Sequence, residues 1–317
     1  MKVLVTGGAG FIGSNIVKLL ESKNAKVTVL DNFSHANYKN LLDDKADIIC
    51  GDVVDENLFK KLPKFDAVIH EAAITDTTLK DDTQMMMVNF EGFKNVLHFC
   101  LKNKSKLVYA SSAGVYGNGQ SPMKETQSVD PHNTYAYSKW MCDVYAAKIT
   151  AVPAAMPTGR QGRQGKKGQP LVVGVRYFNV YGPQEYHKGS AASITYQLYL
   201  QMKAGNRPRV FKFGEQKRDF IYVKDVARIT VGCLGLKKNT VLNVGTGKAR
   251  SFNDIIAALN KSLKTALGTE YFDNPFKGFY QDFTEADLTQ AKKLQLVAEY
   301  SLEEGIHDYV TNYLEKK

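Results

Sequence analysis

Long apolar runs are missing from this chain of 317 residues. A helix that crosses a bilayer needs about 20 consecutive apolar residues, and no stretch approaches that length. Met1 and Lys2 lead directly into a strand-like pattern, without the apolar core of a signal peptide. We therefore expect a protein that stays in the cytoplasm and has no membrane partner. The apolar fraction of 44% and the charged fraction of 23% are ordinary for a globular protein.

Cysteine is scarce, with four residues in the whole chain. None belongs to a C-x-x-C pair, the spacing typical of zinc sites and of redox-active dithiols. The four are Cys50, Cys100, Cys142 and Cys233. Because this spacing does not suit a cysteine-based metal site, we expect no bound metal and four reduced, mostly buried thiols.

Positive charge is in excess, since 42 Lys and Arg oppose 32 Asp and Glu for a net charge of +10. This excess favours anionic partners but does not separate nucleic acid from a phosphorylated metabolite. A basic cluster lies in the glycine-rich segment 153–170, and it comprises Arg160, Arg163, Lys166 and Lys167. The segment has no interleaved aromatic residues, so we interpret it as a mobile loop and expect no nucleic-acid partner.

The first half of the chain alternates β-branched runs with amphipathic helical patterns. The predicted strands are 2–6, 26–30, 47–50, 66–70, 106–110 and 171–176. This alternation is typical of an α/β fold with a Rossmann-type, doubly wound parallel sheet.

A glycine motif stands between the first predicted strand and the first predicted helix. Residues 6–13 read TGGAGFIG, which places Gly7, Gly10 and Gly13 three residues apart. In a dinucleotide site the first glycine permits the tight turn, the second lets backbone approach the pyrophosphate, and the third lets helix and strand pack closely. The helix amino terminus then faces the phosphates. The motif and its position predict a dinucleotide cofactor.

Asp31 ends the second predicted strand, about 20 residues further on, where a carboxylate commonly receives the ribose hydroxyls. A carboxylate there favours NAD because it repels a 2′-phosphate, but Asn32 and Lys39 can offset that repulsion. Asp52, after the third predicted strand, has two interpretations. It either contacts the adenine edge or caps a helix over 55–62.

Three side chains in the middle of the chain suggest catalysis. The segment KLVYASSAGVYG ends a strand with Ser111 and Ser112, and Tyr135 and Lys139 follow four residues apart on a predicted helix. That spacing places them on one helix face. A phenol with a pKa of about 10 becomes a useful base when a neighbouring ammonium stabilises the phenolate. Ser112 can then hydrogen-bond the reacting hydroxyl. Tyr137 has no lysine four residues on, so it is the weaker candidate.

These residues resemble the extended short-chain dehydrogenases, from Lys2 to about Leu288. Within that group the chain is similar to the ADP-heptose 6-epimerase family. The resemblance rests on HEAA (70–73), RYFNVYGP (176–183), Glu185, HKGS (187–190), KRDFIYVKDVA (217–227), NVGTG (243–247) and KGFYQDFT (277–284). The segments at 187–190 and 277–284 discriminate most within the group.

The resemblance implies a set of site residues. Besides Gly7, Gly10, Gly13 and Asp52, the cofactor would contact Phe11, Ile12, Asp31, Asn32, Lys39, Val53, Glu71, Ala72, Ala73, Ile74, Thr75, Asn89, Tyr135, Lys139, Val180 and Lys188. The nucleotide-sugar would contact Ser112, Asn179, Ser190, Gln197, Phe211, Lys212, Phe213, Gly214, Arg218 and Tyr280. Gln197 stands where the family has a histidine, and we interpret His187 as structural or substrate-lining. Tyr135 and Lys188 would be the two acid/base groups, NADP would be preferred over NAD, and the protein would form a homo-oligomer.

After the predicted strand at 171–176 the pattern becomes irregular, with loops, short strands and helices, and this change marks a second, smaller domain. Residues 1–178 and 222–247 are assigned to a dinucleotide-binding domain, and residues 179–221 and 248–317 to a smaller, mixed α/β substrate domain. The helical patterns near 191–204 and 252–264 fall in the latter.

The implied reaction is epimerisation by transient oxidation. The exocyclic carbon of a heptose is not next to a carbonyl, so proton abstraction has no enolate to stabilise it, whereas oxidation to a 6-keto sugar and re-reduction avoids that barrier. Alternative functions are a UDP-hexose 4-epimerase and a non-catalytic, nicotinamide-sensing binding protein. A 4,6-dehydratase is disfavoured because Ala113 and Gly114 follow Ser112 where elimination would need acidic groups.

Overall fold

A computed structural model describes residues 1–77, 81–150, 168–273 and 283–316. Twelve strands, β1 to β12 in chain order, occur within these ranges. They are Lys2–Thr6, Lys26–Asp31, Asp47–Cys50, Ala67–His70, Lys106–Ser112, Val172–Tyr177, Asn179–Tyr181, Arg209–Phe211, Lys217–Tyr222, Thr240–Val244, Ala249–Ser251 and Glu270–Phe272. Each of the six predicted strands is present, with its ends within two residues of the prediction.

Ten α-helices, α1 to α10, accompany the strands within the same ranges. They are Phe11–Ser22, Glu56–Lys61, Asp82–Met86, Gly92–Asn103, Thr134–Thr150, Ile194–Lys203, Val223–Cys233, Phe252–Leu263, Thr289–Lys293 and Leu302–Tyr309. Short helical turns lie at Tyr38–Leu41, Ala113–Tyr116 and Tyr186–Ala191.

Seven strands form one parallel sheet in the order β10-β6-β5-β4-β1-β2-β3. The chain builds outward from β1 to β3, then crosses back to place β4 on the other side of β1. In such sheets a ligand crevice opens at this switch, outside the carboxyl ends of the strands. The predicted Rossmann-type α/β fold is therefore confirmed.

Helices cover both faces of the sheet, which explains why its inner strands are apolar along their whole length. On one face α1 packs against α7, with Ile16, Val17 and Leu20 buried together with Val226 and Ile229. On the other face α4 and α5 contribute to a separate core cluster that includes Phe93, Leu97 and Ala146. The two layers hold the carboxyl edge of the sheet rigid.

The second half of the chain forms a smaller lobe. It contains the three-stranded sheet β11-β9-β7, the strand pair β12-β8 and the helices α6, α8 and α10. Its own core includes Leu198, Phe220, Ile255 and Ile306. β10 comes from the predicted dinucleotide-binding segment 222–247 and pairs with β6 in the large sheet. The division into two domains stays a prediction.

Several expectations concern other parts of the chain. Cys100, Cys142 and Cys233 are buried, Cys50 is exposed, and all four are free. Among the described residues, no helix is both long and apolar enough to cross a membrane. The basic cluster from Arg160 to Lys167 lies outside the described residues.

Candidate active site

The glycine turn between β1 and α1 is built by close backbone contacts. Gly7 adopts a left-handed conformation, with φ +69°, and its N–H donates to the Leu30 carbonyl at 2.8 Å. A Cβ on Gly7 would lie 2.5 Å from the Ala72 nitrogen, and a Cβ on Gly13 would lie 2.1 Å from the Gly7 carbonyl oxygen. Any side chain at either position would displace backbone. The third glycine therefore packs against the turn itself.

A cavity of about 390 Å³ opens beside this turn at the carboxyl edge of the large sheet. The volume falls in the range of about 300–1,000 Å³ that is common for small-molecule sites. Most of the predicted cofactor residues form its walls. They are Gly7, Gly10, Phe11, Ile12, Gly13, Asp31, Asn32, Asp52, Val53, Glu71, Ala72, Ala73, Ile74, Thr75, Tyr135, Lys139 and Lys188.

Asp31 ends β2 as expected, and its carboxylate is held by backbone. Its two oxygens accept hydrogen bonds from Ala9 N at 3.0 Å and from Phe33 N at 2.9 Å. The side chain is buried, and burial raises the pKa of Asp31, which these hydrogen bonds oppose. The glycine turn and the loop after β2 are thus tied together by one carboxylate in the cavity wall.

Asp52 does not cap the following helix, so that alternative was wrong. Its Oδ1 accepts from Val54 N at 3.0 Å, and its Oδ2 accepts from the Asn32 side chain at 2.8 Å. The cap of α2 is Asp55, whose carboxylate accepts from Asn57 N. The cap lies three residues later because the chain first turns tightly at Asp52, leaving that carboxylate in the cavity wall.

Three predicted cofactor residues do not line the cavity: Lys39, Asn89 and Val180. Lys39 lies exposed on the helical turn Tyr38–Leu41. Asn89 is buried and bonds both backbone groups of Ile74, accepting from its N–H at 2.8 Å and donating to its carbonyl at 3.0 Å. Asn89 therefore holds the backbone of the loop after β4 without lining the cavity itself.

Sequence reasoning missed other parts of the wall. They are Leu30, Ser34, His35, Ala36, Gly51, Gln84, Val88, Ala110, Ser111 and Tyr177. Three of them, His35, Ser111 and Tyr177, lie in or just after the ends of β2, β5 and β6. The rule that carboxyl ends of parallel strands share one edge could have found them.

Tyr135 and Lys139 lie one turn apart on α5, and both side chains line the cavity. Lys139 is 2% exposed, and its Nζ donates to the Ala110 carbonyl at 3.1 Å. The hydrogen bond anchors the ammonium at the end of β5. Tyr137 is 42% exposed and packs on the Trp140 ring, so the structure separates the two phenols as the spacing predicted.

Ser112 is the last residue of β5, and its Oγ accepts from Gly114 N at 3.0 Å at the start of the turn Ala113–Tyr116. Ser112 is not among the residues that line the described cavity, whereas Ser111 is, and Ser111 Oγ donates to Asp143 at 3.2 Å. Asp143 is wholly buried and pairs with Arg176, with Nη2 to Oδ2 at 2.9 Å. This buried pair links α5 to β6 and so fixes the helix that carries Tyr135 against the sheet.

Glu71 brings a partly buried carboxyl group to the cavity wall. Its Oε1 accepts from the Tyr177 hydroxyl at 2.7 Å, and that hydroxyl also lies 2.8 Å from Thr230 Oγ1. Burial raises the pKa of Glu71 to about 7, while Tyr177 and Lys139 act in the opposite direction. The charge of this carboxyl therefore changes near neutral pH.

Lys188 and His187 lie on the helical turn Tyr186–Ala191, and both line the cavity. Lys188 Nζ is 5.6 Å from the centroid of the Phe11 ring. Burial lowers the pKa of Lys188, whereas Glu185 and Asp76 raise it. His187 lies in the wall that also contains Asp31, and burial lowers the pKa of His187. We expected His187 to be structural or to line the substrate site, whereas its side chain lines the cavity beside the glycine turn.

The predicted substrate residues lie mainly on the small lobe, outside the described cavity wall. Gln197 Nε2 donates to the carbonyls of Ser190 and Ala192 at 3.0 and 2.8 Å. Arg218 is 4% exposed, and its Nη1 donates to the Lys217 carbonyl. In the segment 211–214, Lys212 and Phe213 are exposed, Phe213 by 62%, whereas Gly214 is buried. Asn179 begins β7, and Tyr280 lies outside the described residues.

The parallel sheet, the glycine turn and a tyrosine–lysine pair on one helix define a dehydrogenase-type Rossmann enzyme. The cradle suits a dinucleotide, since close backbone packing at Gly7 and Gly13 leaves the cavity free beside the amino terminus of α1. A model of the NAD dependent epimerase/dehydratase family matches residues 3–245. The chain belongs to this family, which confirms the resemblance seen in the sequence, and a nicotinamide dinucleotide is its cofactor.

Individual relatives narrow the comparison. The chain is 42% identical over 306 residues to an ADP-L-glycero-D-manno-heptose-6-epimerase of Brachyspira hyodysenteriae, covering 92% of this chain and 90% of that protein. The crystal structure of the Helicobacter pylori enzyme of the same name superposes with a TM-score of 0.87 at 34% identity, covering 99% and 96% of the two chains. A UDP-glucose 4-epimerase of Thermotoga maritima, solved with UDP-glucose, gives 0.84 at 28% identity, covering 99% and 100%.

Proposed function

We propose that this protein epimerises a nucleotide-activated sugar, converting ADP-D-glycero-D-manno-heptose to ADP-L-glycero-D-manno-heptose through a 6-keto intermediate. The observation that carries the proposal is that Tyr135, Lys139 and Lys188 line one cavity with the glycine turn. The 42% identity to a heptose epimerase over most of both chains supports the choice of sugar.

Oxidation at carbon 6 needs a base for the hydroxyl proton, and Tyr135 is our candidate. Lys139, held at the end of β5 by the Ala110 carbonyl, lies one helical turn from this phenol and lines the same cavity. A bound nicotinamide dinucleotide supplies first the acceptor and then the donor of the hydride. Ser112, at the end of the same strand, hydrogen-bonds the reacting hydroxyl in this proposal.

The second epimer presents its hydroxyl in a different direction, so a second acid/base group is needed. Lys188 takes this role in the proposal. Burial lowers the pKa of Lys188 and so brings the neutral amine closer to the pH at which the enzyme works. Two groups on different elements, α5 and the turn Tyr186–Ala191, can thus serve the two faces of the ketone.

The sugar nucleotide is proposed to lie against the small lobe. Its contacts in this proposal are Asn179, Ser190, Gln197, Phe211, Lys212, Phe213, Gly214, Arg218 and Tyr280. Arg218 suits a diphosphate because its planar guanidinium can pair two oxygens at once. The Gln197 amide nitrogen already serves two carbonyls, so its oxygen is the atom left for substrate.

For the cofactor we propose NADP in preference to NAD, on the family resemblance. Asp31 and Asp52 stand in the wall near the expected adenosine ribose, and their carboxylates favour NAD. Titration of the protein with each dinucleotide, followed by fluorescence, decides between them through the ratio of the two Kd values. The same proposal includes a homo-oligomer in the cytoplasm.

The decisive experiment offers two sugars. The purified protein, loaded with NADP or NAD, is incubated separately with ADP-D-glycero-D-manno-heptose and with UDP-glucose, and NMR follows the configuration of each. We expect turnover of the heptose. Turnover of UDP-glucose alone would overturn the sugar assignment and leave a UDP-hexose 4-epimerase, the activity named for the Thermotoga maritima neighbour. Dinucleotide binding with turnover of neither would indicate a nicotinamide-sensing protein.

A further inference from the structure

The loop that carries Lys188 contains residues with positive φ angles. We define the lysine loop as residues 182–193, between β7 and α6. Three of its residues have positive φ: Gly182 at 141°, Gln184 at 78° and Gly189 at 55°. Left-handed conformations are uncommon for residues other than glycine and persist where surrounding contacts over-determine them. Glycine adopts positive φ readily, so the conformation that needs support from surrounding contacts is that of Gln184, four residues before Lys188.

One buried carboxylate closes the lysine loop. Glu185 is 0% exposed, and its Oε1 accepts from Gly182 N at 3.0 Å and from Ser193 Oγ at 2.9 Å. Its Oε2 accepts from Ser193 N at 2.6 Å. Gly182 and Ser193 are the two ends of the loop. Hydrogen bonds to a carboxylate are stronger than those between neutral groups, so this side chain joins both ends firmly.

Two asparagines fasten the same loop to the cofactor side. Asn15 on α1 donates to the Pro183 carbonyl at 3.0 Å. Asn40, also buried, donates to the carbonyl of Ala9 in the glycine turn at 2.9 Å and to the Gln184 carbonyl at 3.3 Å. The first residues of the loop are thus docked on the dinucleotide cradle, immediately before Glu185.

The charge of Glu185 faces Lys188 as well. Burial lowers the pKa of Lys188, and Glu185 followed by Asp76 opposes that effect. From the neighbouring helices, Tyr196 on α6 and Tyr309 on α10 face the same carboxylate, and burial followed by Glu185 raises the pKa of each. The carboxylate of Glu185 therefore interacts both with Lys188 in the loop and with the tyrosines of two helices of the small lobe.

We infer that Glu185 is the positioning residue for Lys188. It acts through Lys188, because it closes the lysine loop against the cofactor cradle. The inference rests on the proposed function, in which Lys188 is an acid/base group. Lys188 N also donates to the Glu185 carbonyl at 3.0 Å, so the backbone of the two residues moves as one turn. Glu185 itself needs no contact with substrate or cofactor.

A double-mutant cycle tests whether Glu185 acts through Lys188. Glu185→Gln is made in the full chain loaded with dinucleotide, both alone and together with Lys188→Ala. We expect kcat to fall by about tenfold in the native background and by less than about twofold when Lys188 is already absent, because residues that act as a unit are non-additive. The loss in kcat should exceed any change in KM, to which Ser190 in the same loop also contributes in the proposed function. Equal losses in both backgrounds, or no loss in either, would overturn the inference.

A second readout does not depend on turnover. Amide hydrogen exchange, measured by mass spectrometry without sugar, should speed up in residues 186–192 of Glu185→Gln by about tenfold or more, while the glycine turn stays protected. The dinucleotide Kd should stay within about threefold. Glu56→Gln, an exposed glutamate on α2, is the charge-matched control and should leave both readouts unchanged. Unchanged exchange in Glu185→Gln would contradict the proposed closure.

Ser193→Ala covers the case in which Glu185→Gln does not fold. It removes the hydroxyl donor of Ser193 to Glu185 and also the side-chain cap of α6. Ser251→Ala removes the equivalent cap of α8, away from the loop, and is its matched control. Only Ser193→Ala should loosen residues 186–192, and loosening in neither or in both would overturn the inference. If the wild-type protein binds dinucleotide but turns over no sugar, the proposed function fails while the exchange result still reports on Glu185.

Discussion

The two acid/base candidates are held in different ways. Tyr135 and Lys139 owe their alignment to one turn of α5, and a single hydrogen bond from Lys139 to Ala110 completes it. Lys188 lies in a loop with three left-handed residues, closed by Glu185 and docked by Asn15 and Asn40. The helix-borne pair is visible in the sequence as a spacing. The loop-borne lysine depends on partners that lie up to 168 residues away along the chain.

The largest effect is expected at the helix-borne phenol. Tyr135→Phe removes the hydroxyl that exchanges a proton with the sugar, so kcat should fall by about a thousandfold or more, while the dinucleotide Kd stays near the wild-type value. Kinetics followed by NMR and fluorescence titration measure the two quantities. Tyr137→Phe, at the exposed phenol two residues on, is the control. A wild-type rate in Tyr135→Phe would remove this residue from the mechanism.

The loop-borne lysine should matter somewhat less. Lys188→Ala is expected to lower kcat on the order of a hundredfold, within the range of single general acid/base groups. Lys148→Ala, an exposed lysine on α5, should change kcat little. If kcat of Lys188→Ala equalled that of Lys148→Ala, Lys188 would not be an acid/base group. Tyr135 on α5 would then be the remaining acid/base candidate of the two.

Glu71 makes a prediction about pH. The fold raises the pKa of this carboxyl from 4.5 to about 7, so the folded state favours its neutral form. The contribution of Glu71 to the free energy of unfolding is fully present below about pH 4.5 and is lost as the pH rises through 7. Above that pH the loss in the free energy of unfolding is on the order of 3 kcal/mol. Glu71→Gln keeps an acceptor for Tyr177 and should therefore gain stability over wild type between pH 5 and 8.

Denaturant unfolding at several pH values, without dinucleotide, measures this difference. The two proteins should be closest near pH 5 and furthest apart near pH 8. A stability difference that did not change with pH would mean that Glu71 is not titrating in this interval.

The smallest effect is expected in the glycine turn. A Cβ at Gly13 would lie 2.1 Å from the Gly7 carbonyl oxygen, so Gly13→Ala must shift backbone at the amino terminus of α1. We expect dinucleotide affinity to fall by about tenfold, because the N–H groups of the turn move away from the phosphates. Gly268→Ala, where the nearest atom would be 3.9 Å away, is the control. Fluorescence titration that found equal affinities would contradict this packing role.

Much of the fold and half of the site could be read from local patterns. Six of the seven strands of the large sheet were predicted, with starts and ends within two residues, whereas β10 was not. Gly7, Gly13 and Asp31 lie where the motif places them. The role of Asp52 and the positions of Lys39, Asn89 and Val180 relative to the cavity were not predictable, because each depends on how its segment packs in the folded chain and not on local spacing.

The sequence by itself determined the parallel α/β sheet, the dinucleotide turn and the tyrosine–lysine pair, since each follows from residues close together in the chain. Only the tertiary structure decided that Tyr177 meets Glu71, that Asn89 holds Ile74 and that Glu185 closes the lysine loop. The physical reason is the same in each case. A buried polar side chain must find a partner, and which partner it finds depends on the packing of distant elements or on the path of an irregular loop.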